Sequence, residues 1–319
     1  MAQLVVFATD YTLAKEYDRE RELLAAVGAE LIVAQCRSEQ EILEQMPPCD
    51  AIISQWAPLT RRVMEAAGRL RAISRNGIGV DNIDLEAARE LGVQVFNVPD
   101  YCVPEVAEHT LALILAVVRK LAPTARRMDA GGWGVDPLVP IHRMHDQTLG
   151  ILGLGRIGQA VAERARPLFG RIIACDPQAS AETRARLGVE AVGPEEFWGE
   201  ADVITLHLPL TEETRHTINA DTLNRMKPGA YLVNTCRGGV VDTAAVVAAL
   251  RSGQLAGVGL DVHEEEPLPA DHPLRHLDNA LVTPHVAFYS EESVAIARDR
   301  TCENLVRFFR GEEPRSRVV

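Results

Sequence analysis

The stretch TLGILGLGRIGQAV, residues 148–161, constrains the fold of this chain more than any other part of the sequence. A short apolar run leads into Gly153, Gly155 and Gly158, and the spacing of a helix follows. In such a strand–turn–helix unit the first glycine allows the tight turn. The second lets a phosphate approach the backbone, and the third lets the helix pack on the strand. The stretch therefore predicts a nucleotide-binding βαβ unit that begins near the middle of the chain.

Short apolar runs alternate with helical segments on both sides of this unit. The first series begins with a strand at 3–8 and a helix at 15–27. The second series begins at residue 148, after an irregular segment at 122–147, and ends in a helix at about 290–310. The strand-like runs are almost continuously apolar, as in parallel sheets that helices cover on both faces. The sequence thus predicts an α/β protein with two doubly wound parallel-sheet domains.

The net charge, the cysteines and the N-terminal residues limit the kinds of molecule that the chain is expected to bind. The chain of 319 residues carries a formal charge of -12, which argues against binding to nucleic acid or to an anionic membrane. Its six cysteines have no regular spacing, so they are expected to be reduced thiols, and no metal site is predicted. The N-terminal residues predict a buried strand rather than a secretion signal. We therefore expect a cytoplasmic protein with a small-molecule partner.

An acidic residue identifies the nucleotide. Asp176 ends the strand after the glycine turn, eighteen residues beyond Gly158. At this place a carboxylate binds the ribose hydroxyls and repels a 2′-phosphate, so NAD is favoured over NADP. Arg156, between the glycines, is a candidate for contact with the pyrophosphate.

Three kinds of functional side chain follow three later strands. Arg237 follows AYLVNT, the glutamates Glu264, Glu265 and Glu266 follow GVGLDV, and His285 follows ALVTP. Ligands of doubly wound sheets bind beyond the carboxyl ends of the strands. There an arginine can bind a carboxylate and polarise a neighbouring carbonyl, while a histidine next to an acid can donate a proton. The pattern predicts hydride transfer to a 2-oxo acid.

The chain resembles the D-2-hydroxyacid dehydrogenase family over essentially its whole length, through GILGLGRIGQAVA, MKPGAYLVNTCRGGVVD, AGVGLDVHEEEP and LVTPH. The resemblance implies that Arg237 binds the substrate carboxylate, that His285 donates the proton, and that Glu266 is the partner of His285. A closer likeness to the C-terminal-binding-protein branch lies in ISRNGIGVDNID, NVPDYCVPEVAEHT and TPHVAFYSEES.

The resemblance also implies an architecture. A Rossmann NAD-binding domain at 102–287 would be inserted into a discontinuous, flavodoxin-like substrate domain formed by 1–101 and 288–319. Family members are usually homodimers, so a homodimer is expected. Further contacts with NAD are expected from Ile157, His207, Pro209, Thr214, Thr235, Cys236 and Asp261.

Five residues are predicted to bind the substrate. The resemblance implies that the backbone at Ile78 and Gly79 binds the carboxylate. Trp56 and Phe288 are bulky and apolar, and they would form the wall around the rest of the molecule. This predicts a preference for monocarboxylic 2-oxo acids with small or apolar side chains, because a second charge would be buried unpaired. Arg75 is the exception, because it could pair with a second anionic group.

The expected function is that of an NAD-dependent oxidoreductase that interconverts a (R)-2-hydroxy acid and the 2-oxo acid. One alternative is a phosphoglycerate dehydrogenase-type enzyme, which is less favoured because no regulatory domain follows the last helix. The other is an NAD(H)-sensing, corepressor-like binding protein. The sequence shows no basic run or long disordered tail in support of it, and the Arg–Glu–His set favours catalysis.

Overall fold

A computed structural model describes residues 3–10 and 16–319, except for the side chain of Pro137. The chain divides into two compact units. Unit 1 consists of Met1–Tyr101 and Ser290–Val319, and unit 2 of Cys102–Tyr289. Among the described residues, no helix is both long enough and apolar enough to cross a membrane.

Unit 1 is built on a sheet of five parallel strands in the order β2-β1-β3-β4-β5, which is the flavodoxin-like doubly wound order. The strands are β1 Leu4–Ala8, β2 Ala29–Val33, β3 Cys49–Ser54, β4 Gly68–Arg75 and β5 Gln94–Phe96. The helices are α1 Asp18–Ala25, α2 Glu39–Gln45, α3 Arg61–Ala66, α4 Leu85–Glu90 and, from the C-terminal part, α12 Glu291–Arg310. The helix predicted at 15–27 is thus observed as α1, and residue 15 lies outside the described residues.

Successive residues of these strands enter different cores, which explains why the strands are largely apolar. Phe7 and Ile52 belong to one buried cluster, whereas Val6, Ala8 and Ile53 belong to another. Because side chains alternate between the two faces of a strand, both faces of this sheet are buried.

Unit 2 is built on a sheet of seven parallel strands in the order β12-β11-β10-β9-β6-β7-β8. The strands are β6 Thr148–Leu152, β7 Arg171–Cys175, β8 Glu190–Ala191, β9 Val203–Leu206, β10 Ala230–Asn234, β11 Leu255–Leu260 and β12 Ala280–Val282. The helices are α5 Val103–Val118, α6 Leu121–Asp129, α7 Arg156–Ala165, α8 Ala181–Leu187, α9 Pro194–Glu200, α10 Ala220–Arg225 and α11 Thr243–Ser252. The strand order reverses between β6 and β9, as it does in a Rossmann fold. Two entirely parallel sheets confirm the predicted fold class.

One helix lies where the sequence predicted irregular structure. Lys120 adopts a left-handed conformation, with φ of 52°, which ends α5 and separates it from α6. Helix α6 buries none of its residues, and Pro123 stands in its first turn. The prediction failed here because Pro123 indicates a break in a helix, although proline is tolerated in the first turn, where its missing N–H would have no intrahelical partner.

Candidate active site

The three glycines of the turn after β6 meet different surroundings. A Cβ atom at Gly153, where φ is 91°, would lie 2.6 Å from the carbonyl oxygen of His207, and one at Gly158 would lie 2.2 Å from the carbonyl oxygen of Gly153. A Cβ atom at Gly155 would meet nothing within 4 Å. The outer two glycines are therefore required for packing, whereas the middle one leaves the backbone open at the N-terminus of α7. This is the cradle that a pyrophosphate needs.

Asp176 lies beside this cradle, directly after β7. Its Oδ2 accepts a hydrogen bond from the backbone N–H of Leu154 at 2.6 Å, and its Oδ1 accepts one from Gln178 at 2.8 Å. The carboxylate is thus held against the glycine turn. Arg156 is the first residue of α7 and is exposed, and Ile157 is half-buried against Ala107 and Val161. These residues fit the dinucleotide that the sequence predicts.

His207 follows β9, on the other side of the point at which the strand order of the sheet reverses. Burial lowers the pKa of this histidine to about 3, so the ring is neutral near pH 7. Its Nε2 lies 3.1 Å from the hydroxyl of Thr205, and its buried Nδ1 has no hydrogen-bond partner among the described residues. Two residues after His207, the carbonyl of Pro209 accepts a hydrogen bond from the hydroxyl of Thr214 at 2.6 Å, which holds this loop in a turn.

Arg237 follows β10 and begins a short 3₁₀ turn, Gly238–Val240. Its Nη1 donates to the carbonyl of Cys236 at 2.7 Å. The side chain of Asn234 holds the same loop from within, because its Nδ2 donates to the carbonyl of Arg237 at 2.8 Å and its Oδ1 accepts from the Cys236 N–H at 3.0 Å. The guanidinium is thereby held on an ordered loop at the carboxyl end of the sheet.

Of the two residues that precede Arg237 in this loop, Thr235 is buried and Cys236 is half-buried. Burial raises the pKa of the Cys236 thiol, although hydrogen bonds and the charge of Arg237 act in the opposite direction. The sulfur donates to Oδ1 of Asn234 at 3.1 Å. The hydroxyl of Thr235 lies 2.8 Å from that of Thr110 on α5. Cys236 is therefore a protonated thiol, which contributes to the loop as a packed group.

The structure separates the roles of the three consecutive glutamates. Glu266 Oε2 lies 2.8 Å from Nδ1 of His285, and its Oε1 accepts from the backbone N–H of His263 at 2.9 Å. Burial raises the pKa of the Glu266 carboxyl, but the hydrogen bonds and charges of His285 and His263 outweigh burial, so the pKa lies below its usual value. Glu264 instead pairs with His216 at 2.7 Å, and Glu265 is exposed. Of these three glutamates, Glu266 is the one that pairs with His285.

The backbone of His285 has an uncommon conformation, with φ of 53°. Its N–H donates to the carbonyl of Asp261 at 2.7 Å. The carboxylate of Asp261 is fully buried and accepts the N–H groups of Val286 at 3.0 Å and Ala287 at 2.8 Å. Asp261, which the sequence assigned to NAD, thus holds the turn that carries His285. The ring of Phe288 packs edge-on against that of His285, with 6.2 Å between the centroids.

The loops that carry Arg237 and Glu266 touch each other. A Cβ atom at Gly238 would lie 2.0 Å from the backbone carbonyl of His263, so only glycine fits between the two loops. Because β10, β11 and β12 are neighbours in the sheet, the arginine, the acid and the histidine follow adjacent strands. The arrangement places a guanidinium and a histidine paired with a carboxylate on the rim that holds the nucleotide cradle.

In unit 1, Trp56 and Arg75 contact each other. The carboxylate of the buried Asp10 accepts the N–H of Trp56 at 2.7 Å and so holds the loop after β3. The guanidinium carbon of Arg75 lies 5.7 Å from the centre of the Trp56 ring, and Arg75 is only 8% exposed. A cation therefore lies against the aromatic ring that was predicted to form an apolar wall. In the next loop, the carbonyl of Ile78, which precedes Gly79, accepts from the side chain of Asn97 at 2.7 Å.

Sequence reasoning missed the residues that hold these loops, chiefly Asp10, Asn234, His263 and Thr283. A signal existed for all four, because each stands at or just after the carboxyl end of a strand, as the predicted site residues do. Their roles depend on short hydrogen bonds to backbone groups of neighbouring loops, and those contacts appear only in the folded chain.

Comparisons with known proteins agree with this geometry. The family model for the NAD-binding domain of D-isomer specific 2-hydroxyacid dehydrogenases matches residues 111–287. A glyoxylate reductase from Korarchaeum cryptofilum is 41% identical over 281 residues, which cover 87% of this chain and 85% of that protein. A D-3-phosphoglycerate dehydrogenase from Methanocaldococcus jannaschii is 40% identical over 293 residues, which cover 91% of this chain but 55% of that longer protein.

A solved structure of D-lactate dehydrogenase from Aquifex aeolicus, complexed with NAD and lactic acid, superposes with a TM-score of 0.87 at 29% identity. The match covers 97% of this chain and 96% of that one. The likeness to the C-terminal-binding-protein branch stays a prediction. The predicted NAD cofactor and reaction class are confirmed: the chain belongs to the D-isomer specific 2-hydroxyacid dehydrogenase family and is an NAD-dependent oxidoreductase of 2-hydroxy acids.

Proposed function

We propose that this enzyme interconverts small monocarboxylic 2-oxo acids, such as glyoxylate and pyruvate, and the corresponding 2-hydroxy acids, those with a stereocentre having the (R) configuration. The observation that carries the proposal is the His285–Glu266 pair, 2.8 Å apart, next to the loop of Arg237 on the rim of the NAD-binding sheet. A histidine paired with an ionised carboxylate can donate and recover a proton near neutral pH.

Three side chains of this chain have different roles in the reduction of the 2-oxo acid. Arg237 binds the substrate carboxylate and draws electron density from the neighbouring carbonyl. The hydride that reduces the carbonyl carbon comes from the nicotinamide ring when NADH is bound. His285 gives its proton to the carbonyl oxygen as the alcohol forms, and in the reverse direction it takes that proton back. Glu266 holds the ring through Nδ1 and stabilises its protonated form, which leaves Nε2 for the substrate.

Asp176 is proposed to select NAD over NADP. Its carboxylate is held against the glycine turn by the 2.6 Å hydrogen bond from Leu154. A 2′-phosphate at this place would meet a negative charge, whereas ribose hydroxyls would find an acceptor.

The substrate class rests on the aromatic residues. Phe288 packs on the ring of His285. We propose that Trp56 covers the side chain of the substrate. The backbone at Ile78 and Gly79 is proposed to bind the substrate carboxylate. The Korarchaeum cryptofilum relative is a glyoxylate reductase, and this supports a small substrate. Arg75 favours the second candidate, a phosphoglycerate dehydrogenase-type activity, because its cation beside Trp56 would pair with a second anionic group.

A comparison of substrates tests the two candidates. NADH oxidation is measured with glyoxylate, pyruvate and 2-oxobutyrate, and with oxaloacetate, 2-oxoglutarate and phosphohydroxypyruvate. We expect kcat/KM to be higher for the first group. A clear preference for a dianionic acid that Arg75→Leu abolishes would establish the second candidate instead. Absence of turnover with all six acids would contradict both.

We also propose that the enzyme is a cytoplasmic homodimer. The six cysteines are free thiols, as expected in a reducing compartment. Dimerisation is supported by the α6 surface, which consists of the exposed side chains of Leu121, Met128, Trp133, Val135 and Val139 in unit 2. Trp133 is 83% exposed, and an apolar cluster of this kind is typical of a surface that a partner covers. A second copy of the chain is the partner that the family resemblance implies.

A further inference from the structure

We propose that His109 is a positioning residue, which holds the catalytic His285 in place through Thr283 and Asp261. The inference rests on the role of His285 as proton donor. It concerns a histidine of α5 that lies far from His285 in the sequence and that the predicted site did not include.

His109 forms one end of a chain of hydrogen bonds. Its Nε2 lies 3.2 Å from Oγ1 of Thr283 and 3.5 Å from Oδ1 of Asp261. The hydroxyl of Thr283 donates its proton to Oδ1 of Asp261, so it can only accept from His109. The network thereby assigns the proton of His109 to Nε2. A histidine on α5 thus completes the hydrogen bonding of a threonine two residues before His285.

Asp261 transmits this contact to the backbone around His285. Its buried carboxylate accepts the N–H groups of Val286 and Ala287, and its own carbonyl accepts the N–H of His285. Three successive N–H groups are therefore bound to one residue. With φ of 53°, His285 is in a conformation that non-glycine residues adopt only when the surroundings impose it. The orientation of its ring depends on this turn.

His263 holds Thr283 from the other side. Its Nε2 lies 3.0 Å from the carbonyl oxygen of Thr283, and its backbone N–H donates to Glu266. Thr283 thus links the loop of Glu266 to α5. Loss of the His109 contact would leave the hydroxyl of Thr283 with one partner fewer and would loosen the turn, while the NAD cradle would be untouched. We therefore expect the proton-transfer step to suffer and NADH binding to be preserved.

The test compares His109→Ala with His109→Gln, whose amide can donate from nearly the position of Nε2. The exposed His142, which lies outside this network, supplies the control His142→Ala. In the full-length enzyme with NADH and glyoxylate, we expect His109→Ala to lower kcat by about tenfold or more, because small misplacements of a proton donor are costly. KM and the Kd for NADH should stay within about threefold of the parent values, since the glycine turn and Arg237 are not altered and Asp261 keeps its hydrogen bonds to Val286 and Ala287. The solvent deuterium isotope effect on kcat should rise.

Rescue separates positioning from a general loss of structure. His109→Gln should recover most of kcat, and His142→Ala should behave as the parent. A kcat for His109→Ala within twofold of the parent would overturn the proposal. So would a Gln variant no better than Ala, or a parallel loss of NADH affinity and thermal stability. If His109→Ala does not fold, Thr283→Val removes the same link from the other partner, and Thr283→Ser should restore it.

A second readout does not depend on turnover. In the parent, the Nδ1 proton of His285 is shared with Glu266 and should give a downfield NMR resonance. We expect this resonance to broaden or disappear in His109→Ala and to return in His109→Gln. An unchanged resonance would contradict the inference even if no 2-oxo acid were turned over, whereas an inactive parent with this response would contradict only the proposed function.

Discussion

At the scale of single residues, Arg237 provides the most direct test of the chemistry. Its guanidinium donates to the carbonyl of Cys236, and Asn234 holds the backbone of the same loop after β10. Arg237→Ala removes both carboxylate binding and polarisation of the carbonyl, so we expect kcat/KM to fall by roughly 10³ or more. The Kd for NADH, measured by fluorescence quenching, should change by no more than a few-fold. Near-normal turnover in this variant would exclude Arg237 from the mechanism.

Glu266 determines the pH dependence at the same scale. Its lowered pKa means that it is a carboxylate throughout the working range, and this negative charge favours the protonated ring of His285. In Glu266→Gln the charge is lost, so the alkaline limb of the pH profile for reduction should move to lower pH. We expect a loss in kcat/KM of about tenfold or more at about pH 8 and a smaller loss at about pH 6. Glu265→Gln is the matched control. If the pH profile of Glu266→Gln differs from the parent profile no more than that of Glu265→Gln does, Glu266 has no part in catalysis.

At the scale of elements, the turn before α7 separates folding from cofactor binding. Gly155 has φ of -70°, which alanine adopts freely, and its Cβ would meet no protein atom. Gly155→Ala should therefore leave the melting temperature within about 2 °C of the parent value. It should weaken the binding of NADH by about tenfold or more, because the added methyl group occupies the space through which the phosphates approach the backbone. Gly158→Ala should instead destabilise the protein by about 1–3 kcal/mol, because its Cβ would lie 2.2 Å from a carbonyl oxygen. Equal effects of the two variants on NADH affinity and on stability would contradict this division.

At the scale of the whole molecule, the α6 surface is expected to join two copies of the chain. Trp133 and Val135 are 83% and 68% exposed. Replacing both with serine removes apolar area from the interface, so light scattering should show a shift from twice the mass of one chain towards once that mass. The control is serine at Leu91 in unit 1, which is 40% exposed and lies outside the α6 surface. A parent protein that is monomeric at micromolar concentration would contradict the proposal.

The glycine turn, Asp176 and the order Arg237, Glu266, His285 were predictable from sequence, because each follows a strand of a parallel sheet and the carboxyl ends of such strands meet on one edge. Strand position alone left three glutamates as candidate partners of His285. The family resemblance indicated Glu266, and in the folded chain that residue contacts the histidine. The choice depends on the path of the loop after β11, in which Glu264 turns to His216 and Glu266 to His285.

The alternation of apolar runs with helical spacing determined the fold class, since both faces of each sheet are buried and the strands are largely apolar. The sequence by itself did not determine α6, which packs on no core. It also did not determine the hydrogen bonds that hold the site, such as those between Asp10 and Trp56 and between His109 and Thr283. Those hydrogen bonds join residues distant along the chain. Periodicity and spacing report only on neighbours in the sequence, so such contacts are decided by the tertiary structure.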